Sequence, residues 1–404
     1  MTTFTPQTAD ELRDAVAWAV SEEAPVEILG HGTKRGIGRP LQTEHAIDLS
    51  QLSGVTLYEP EELVLSAKAG TPVAEIEGLL AEHRQELAFE PLDYRPLLGI
   101  GQDGPGGTIG GVLAANLSGP RRIKAGAARD HILGIEAVSG RGESFKSGGR
   151  VVKNVTGYDL SKAMAGSWGT LAAVSSLTFK VLPAAETETT LVLHGLEDEP
   201  AITAMASAMG SSAEVSGAAH LPYTVAAKAL DGALAGRPAT LLRVEGFGPS
   251  VDYRIGYLTS LLKGAGELST LRVDQSRSLW RDVRDVWFFA DGGNAPVWRL
   301  SMAPGEGWKL VAALRLEAAV DAFYDWQGGL VWLRVEGEPE ADLVRALVRR
   351  HGGGHATLVR TSPAIRASVP VFEPQPAPLA ALSARLKAQF DPKGIFNPGR
   401  MAPA

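Results

Sequence analysis

Three glycines in Leu29-Gly-His-Gly-Thr-Lys-Arg-Gly36 stand directly after an apolar run, Val26-Glu-Ile-Leu29. Gly30, Gly32 and Gly36 allow successive backbone N–H groups to converge on one point, an arrangement that holds a phosphate. Thr33 adds a hydroxyl, and Lys34 and Arg35 add positive charge. A glycine-rich hairpin turn has the same composition, and the segment alone does not choose between the two. Thr108-Ile-Gly-Gly-Val-Leu-Ala-Ala-Asn-Leu-Ser-Gly119 is a second stretch of small residues, which lets a bulky ligand lie against bare backbone. Tight packing of two elements would use the same residues. Gly99-Ile-Gly-Gln-Asp-Gly104 spells the dinucleotide fingerprint, but Pro105-Gly-Gly107 follows where that fingerprint needs a helix, so it is set aside. His351 and His355 stand at i, i+4, a spacing that offers two metal ligands on a helix. Gly352-Gly-Gly354 between them argues against a helix, and no metal is expected.

The elements that must position these residues follow from periodicity. Thr8-Ala-Asp-Glu11 is a capping box before a helix to about Ser21, with Leu12, Val16 and Ala19 on one stripe. Short strands are expected at Val26–Leu29, Ala46–Leu49 and Leu63–Ala67, and Thr71-Pro72 opens a second helix. From Pro91 to Gly119 the chain reads as a loop. Strand patterns return at Leu133–Val138 and Leu171–Leu182. From Glu186 the rhythm changes to two passes of alternating strand and helix, ending in a strand at His355–Arg360. That pattern points to helices layered on an antiparallel sheet of the split β-α-β kind. Five prolines between Pro363 and Pro378 suggest an extended linker. A last amphipathic helix carries Leu379, Leu382, Leu386 and Phe390 on one face.

Composition narrows the classes. With 404 residues, 45 % hydrophobic and 21 % charged, the chain buries a large core and is not disordered, collagenous or coiled-coil. Glycine is the outlier at 46 residues, about 11 % against a usual ~7 %. Zero cysteines exclude disulfides, cysteine nucleophiles and any self-ligated iron–sulfur cluster. A net charge of −7 argues against nucleic acid. Between Ser118 and Lys162, however, nine basic residues face four acidic ones, which is either an anion site or a solvated surface. The first residues show no signal-peptide pattern, and no uncharged apolar run spans a bilayer, so a cytoplasmic protein is expected.

Taken in order, these segments resemble one family. The glycine-rich loop, T-I-G-G-x-x-A-x-N, then Arg129-Asp-His-Ile-Leu-Gly134, Lys153-Asn-Val-Thr-Gly-Tyr-Asp-Leu160 and Gly166-Ser-Trp-Gly-Thr-Leu171 are similar to the FAD-binding domain of the vanillyl-alcohol-oxidase (PCMH) type. The ending Asp391-Pro-Lys-Gly-Ile-Phe-Asn-Pro-Gly-Arg400 resembles that of the 2-hydroxyacid dehydrogenase branch. Leu117-Ser-Gly-Pro-Arg-Arg122, Lys153-Asn154 and Gly354-His-Ala-Thr-Leu358 resemble the FAD-binding E subunits of bacterial glycolate oxidases.

The resemblance implies an α+β fold: a two-part PCMH-type FAD-binding domain over residues 1–183, a ferredoxin-like α/β sandwich cap over 184–363, and a C-terminal segment, 364–404, that returns to the first domain. It implies FAD held by Gly30, His31, Gly32, Thr33 and Lys34, with Thr108, Gly110, Gly111, Ala115 and Asn116 on the opposite wall. Asp130, Ala173 and Val174 would sit near the ribityl chain and adenine, and Asn397 beside the flavin. Thr33 stands where covalent relatives carry a histidine, so non-covalent FAD is expected. For oxidation of glycolate to glyoxylate, Arg299 would bind the carboxylate and His355 would act as base; a structural ion pair and a strand-end histidine are their ordinary alternatives. The implied partners are a second flavin subunit and an iron–sulfur subunit, with any membrane reached only through them. A non-catalytic assembly subunit and a stand-alone 2-hydroxyacid dehydrogenase remain the alternative functions. Relatives carry G-E-H-G and metal-binding histidines that this chain lacks, and Trp168 stands where they carry a glutamate.

Overall fold

The computed structural model describes residues 2–151 and 157–402, so Lys153-Asn-Val-Thr156 lies outside the described residues. Helix Ala9–Ser21 begins where its cap predicts: Thr8 Oγ1 accepts the Glu11 N–H at 3.2 Å, and Leu12, Val16 and Ala19 are buried. Strands β1 (Thr2–Phe4), β2 (Val26–Leu29) and β3 (His45–Asp48) form a parallel sheet in the order β1-β3-β2. Next come β4 (Val55–Glu59), β5 (Val64–Lys68), β6 (Gln85–Glu86), β7 (Ile132–Ser139), β8 (Ser144–Gly148), β9 (Ala172–Lys180) and β10 (Leu182–Pro183). Five of them make an antiparallel sheet, β4-β5-β9-β7-β8, while β6 pairs with β10. The expected loop from Pro91 to Gly119 needs correction. Thr108 caps a helix over Ile109–Ala115, because its Oγ1 accepts from Gly111 N and Ile109, Val112 and Leu113 supply a buried side.

The second half is one eight-stranded antiparallel sheet built from β11 (Thr187–His194), β12 (Gly217–Leu221), β13 (Ala239–Gly246), β14 (Glu267–Arg272), β15 (Val297–Met302), β16 (Val320–Asp325), β17 (Leu330–Val335) and β18 (Gly354–Arg360). Its order is β14-β11-β13-β12-β16-β17-β15-β18. Numbered within each quartet, both halves read 4-1-3-2, the ferredoxin-like order. They meet through their second strands at a single register pair, His220–Tyr324. Each quartet has its helices after the first and third strands: Asp198–Met209 and Gly248–Leu261, then Gly307–Leu314 and Ala341–Arg350. Side chains alternate across the sheet. Leu191, Leu193, Leu242 and Leu300 pack under these helices, whereas Val192, Leu241, Phe323 and Trp332 join the core of the first half.

Two further expectations are corrected. Pro363 does not begin an extended linker but occupies the first turn of helix Pro363–Ser368, capped by Ser362 Oγ. Helix Ala377–Phe390 forms as expected, yet buries none of its residues, and Leu379, Leu382 and Leu386 face outward. It is held instead by Lys387, whose ammonium reaches Thr170 O at 2.6 Å and Phe396 O at 3.2 Å, and by Phe390 against Phe145.

A buried charge cluster joins the two halves. Arg243 of β13 is 1 % exposed and donates to both Glu90 carboxylate oxygens, at 2.9 and 3.0 Å. Arg121 donates to Glu245, also on β13, and to Glu86 at 3.0 Å. Burial raises the Glu90 and Glu245 carboxyls, but the two guanidiniums outweigh it; Glu90 lies below the usual range and Glu245 falls to about 2. Three carboxylates against two guanidiniums leave one negative charge in excess. Glu86 accommodates it: burial, with Glu245 and Glu90 nearby, pushes its carboxyl up to about 7 against the pull of Arg121. Arg243→Met leaves Glu86, Glu90 and Glu245 with Arg121 as their one guanidinium, and a loss of about 3–5 kcal/mol of stability is expected. Adding Glu90→Gln to that variant should recover part of the loss, as measured by denaturant unfolding in a double-mutant cycle.

Candidate functional site

Strand β2 ends at Leu29 and delivers the glycine loop to the start of helix Ile109–Ala115. The approach is close enough that a Cβ on Gly30 would lie 2.6 Å from Thr108 Oγ1. Lys34 enters the same space and packs its Cε against Gly111, where a Cβ would stand 3.2 Å from it. Its ammonium donates to Thr33 Oγ1 at 3.2 Å and has no ion-pair partner among the described residues. Burial lowers the amine to about 8, although Asp93 opposes the shift. An unpaired cation in a glycine-lined cleft calls for an anion.

Gly30, His31, Gly32, Thr33 and Lys34 all line this cleft, as do Thr108, Gly110, Gly111, Ala115, Val174 and Asn397. His31 Nδ1 is 2.9 Å from Gly106 O. Ala173 does not line the cleft: alternation on β9 turns Ala172 and Val174 to it and Ala173 to the opposite, buried side. Nor does Asp130. It is exposed, and its carboxylate accepts the Ala127 N–H at 2.8 Å, capping helix Ala128–His131 outside the cleft lining. Asn116 ends its helix in a left-handed conformation and lines the neighbouring cavity instead. The literal fingerprint at Gly99–Gly104 touches neither space.

The last residues of the chain pack against β2. Asp391 accepts from Ile395 N and Phe396 N, at 3.0 and 2.9 Å, and turns the chain so that Phe396 bridges Val26 of β2 in parallel. Asn397 then clasps both walls: its Oδ1 accepts the Ile28 N–H and its Nδ2 donates to Trp168 O, each at 2.8 Å. Arg400 was not foreseen. It donates to Lys34 O at 2.8 Å, and burial lowers its guanidinium to about 10. The only sequence sign was its place at the end of the C-terminal motif.

A second cavity opens where the eight-stranded sheet meets this cleft, and the two share Ala115 and Trp168. Arg299 and Ser301 of β15 pair with Thr357 and His355 of β18, so all four side chains share the face that lines the cavity. Arg299 lies 5.0 Å from the Trp326 ring centre and has no carboxylate partner among the described residues. Its guanidinium is lowered by burial and by Arg122, against Tyr94 and Asp325. Asp325 is pushed up to about 7, chiefly by burial, while accepting the Trp326 N–H at 2.7 Å. His355 is exposed to the cavity. Four of the nine basic residues in the stretch after Ser118 enter ion pairs: Arg121 in the seam, Lys124–Glu214, Lys146–Glu136 and Lys162–Asp159. Among the described residues no metal-binding group of His, Cys, Asp or Glu forms, and no helix is long and apolar enough to cross a membrane.

Comparison with known proteins agrees with this geometry. A family described as an FAD binding domain matches residues 2–148. The glycolate oxidase subunit GlcE of Escherichia coli (strain K12) is 32 % identical over 392 residues, 96 % of each chain. Glycolate oxidase subunit GlcD of Bacillus subtilis (strain 168) is 29 % identical over 187 residues, 46 % of this chain and 38 % of that protein. In fold, p-cresol methylhydroxylase with substrate bound gives a TM-score of 0.72 at 13 % identity, covering 99 % of this chain and 88 % of the other. FAD is therefore the cofactor of this chain, and the unpaired Lys34 beside closely packed Gly30 and Gly111 in the glycine-lined cleft fits a diphosphate.

Only the protonated Lys34 amine attracts a diphosphate. FAD affinity of the apoprotein should therefore be flat below about pH 8 and fall above it. Lys34→Met should weaken FAD binding about 10–100-fold at pH 7 and abolish that pH dependence. Quenching of flavin fluorescence on titration measures both.

Proposed function

The chain belongs to the family of FAD-binding glycolate oxidase subunits that includes GlcE, and from this premise we propose its function. It holds FAD non-covalently as one subunit of a complex that oxidises glycolate to glyoxylate. The observation that carries this reading is the pair of adjoining cavities, each presenting a cation without a carboxylate partner among the described residues: Lys34 in one and Arg299 in the other. When bound, FAD supplies a two-electron acceptor for the hydride that leaves C2 of a 2-hydroxyacid. Lys34 and the N–H groups of residues 30–34 hold the diphosphate. Arg299 holds the carboxylate and thereby orients C2. His355, across the β15–β18 pair, accepts the hydroxyl proton. Trp168, Trp326 and Phe372 wall the cavity with apolar surface.

Residues 1–183 serve as the FAD-binding domain and 184–363 as the cap, with 364–404 closing the cleft. The absence of cysteine leaves this chain no ligand for an iron–sulfur cluster, so electrons leave through partners, a second flavin subunit and an iron–sulfur subunit. The complex works in the cytoplasm and meets a membrane only through those partners.

Glycolate added without air to the purified, flavin-loaded chain should bleach its absorbance. His355→Ala should slow that bleaching by on the order of 10²–10⁴-fold with flavin content unchanged. Bound flavin that glycolate leaves oxidised would assign turnover to another subunit. Acid precipitation should release all the yellow colour; colour retained in the pellet would mean a covalent link.

A further inference from the structure

Arg121 and Arg122 are neighbours with opposite fates. Arg121 is consumed by Glu86, Glu90 and Glu245 in the seam. The Arg122 guanidinium instead lies 4.4 Å from the centre of the Trp326 ring, the same ring that carries Arg299 at 5.0 Å. Neither guanidinium has an ion-pair partner among the described residues, and both line the second cavity. Two like charges over one indole repel each other, and Arg122 indeed helps lower the Arg299 guanidinium. Asp325, the one carboxylate that raises the Arg299 guanidinium, is buried and spends one carboxylate oxygen on Trp326 N.

The arrangement is fixed rather than accidental. Trp326 donates its indole N–H to Gly119 O at 2.9 Å, tying the ring to the chain segment that carries Arg122. Arg122 is exposed at the cavity rim while Arg299 is half-buried on the sheet. We propose that Arg122 and Arg299 together form a two-point carboxylate site on Trp326, in which Arg122 captures the anion at the rim and Arg299 holds it within. Arg122 is then a substrate-binding residue contributed by the FAD-binding half, so the acid itself links the two halves. This rests on the carboxylate substrate proposed above, and oxalate, a dicarboxylate with no hydrogen on carbon to give up, is the probe that separates binding from turnover.

The flavin-loaded chain is titrated with oxalate by calorimetry at low and high salt, with flavin content measured for each variant. Arg122→Met should weaken oxalate about tenfold and flatten the salt dependence, and Arg122→Lys should restore part of the affinity. Lys124→Met, which removes a nearby charge paired with Glu214, should bind like the unmodified chain. Equal affinity in Arg122→Met and the unmodified chain overturns the proposal and leaves the glycolate reading intact. So does an unmodified chain that ignores oxalate yet is bleached by glycolate. A chain that does neither defeats both. If Arg122→Met and Arg122→Lys both lose their flavin, Arg122 is structural and the proposal falls.

Discussion

The buried ion cluster at the seam is the constraint on which the site depends. Glu90 precedes and Arg121 follows the second glycine-rich segment, and Arg243 and Glu245 come from one strand of the eight-stranded sheet. Charges taken out of water are tolerable only when paired, so the halves must dock in the one orientation that pairs them. Paired N–H···O bonds between guanidinium and carboxylate add direction, which apolar contact lacks. That docking brings Trp326 onto Gly119 O and so brings Arg122 to the ring that Arg299 already occupies.

The two quartets of the sheet divide this labour. The first supplies the seam through Arg243 and Glu245 on β13. The second supplies the cavity through Arg299 and Ser301 on β15 and His355 and Thr357 on β18. Both faces of the sheet are covered, by its own helices on one side and the first half on the other, so strands such as Leu330–Val335 read as near-continuous apolar runs.

The cleft is closed by residues more than 350 positions apart in the chain. Asn397 replaces missing ladder bonds between β2 and the Trp168 loop, and Arg400 covers the Lys34 carbonyl. A buried amide with partners on two walls fixes their separation, since losing either bond leaves a polar group unsatisfied. The ending Asp391–Arg400 is thus a built clasp: Asp391 makes the turn, Phe396 joins β2, and Asn397 and Arg400 lock it.

Local chemistry was legible in the sequence. The Thr8 cap, the strand before the glycine loop and the doubled strand–helix rhythm all follow from interactions within a few residues, which composition and periodicity record. Strands Gly217–Leu221 and Glu267–Arg272 were not legible, because small or polar residues carry no strand pattern until neighbours pair with them. Helix Ala377–Phe390 showed an apolar stripe but not that it would face outward, since a periodic pattern names a face and not what covers it. The sequence alone determined where glycine and small residues leave backbone bare for a ligand. Only the tertiary structure decided that Ala173 and Asp130 stay out of the cleft, that Arg121 is spent in the seam and that Arg122 is free for the cavity. Those outcomes depend on contacts between distant segments, where one step along the chain reverses what a side chain meets.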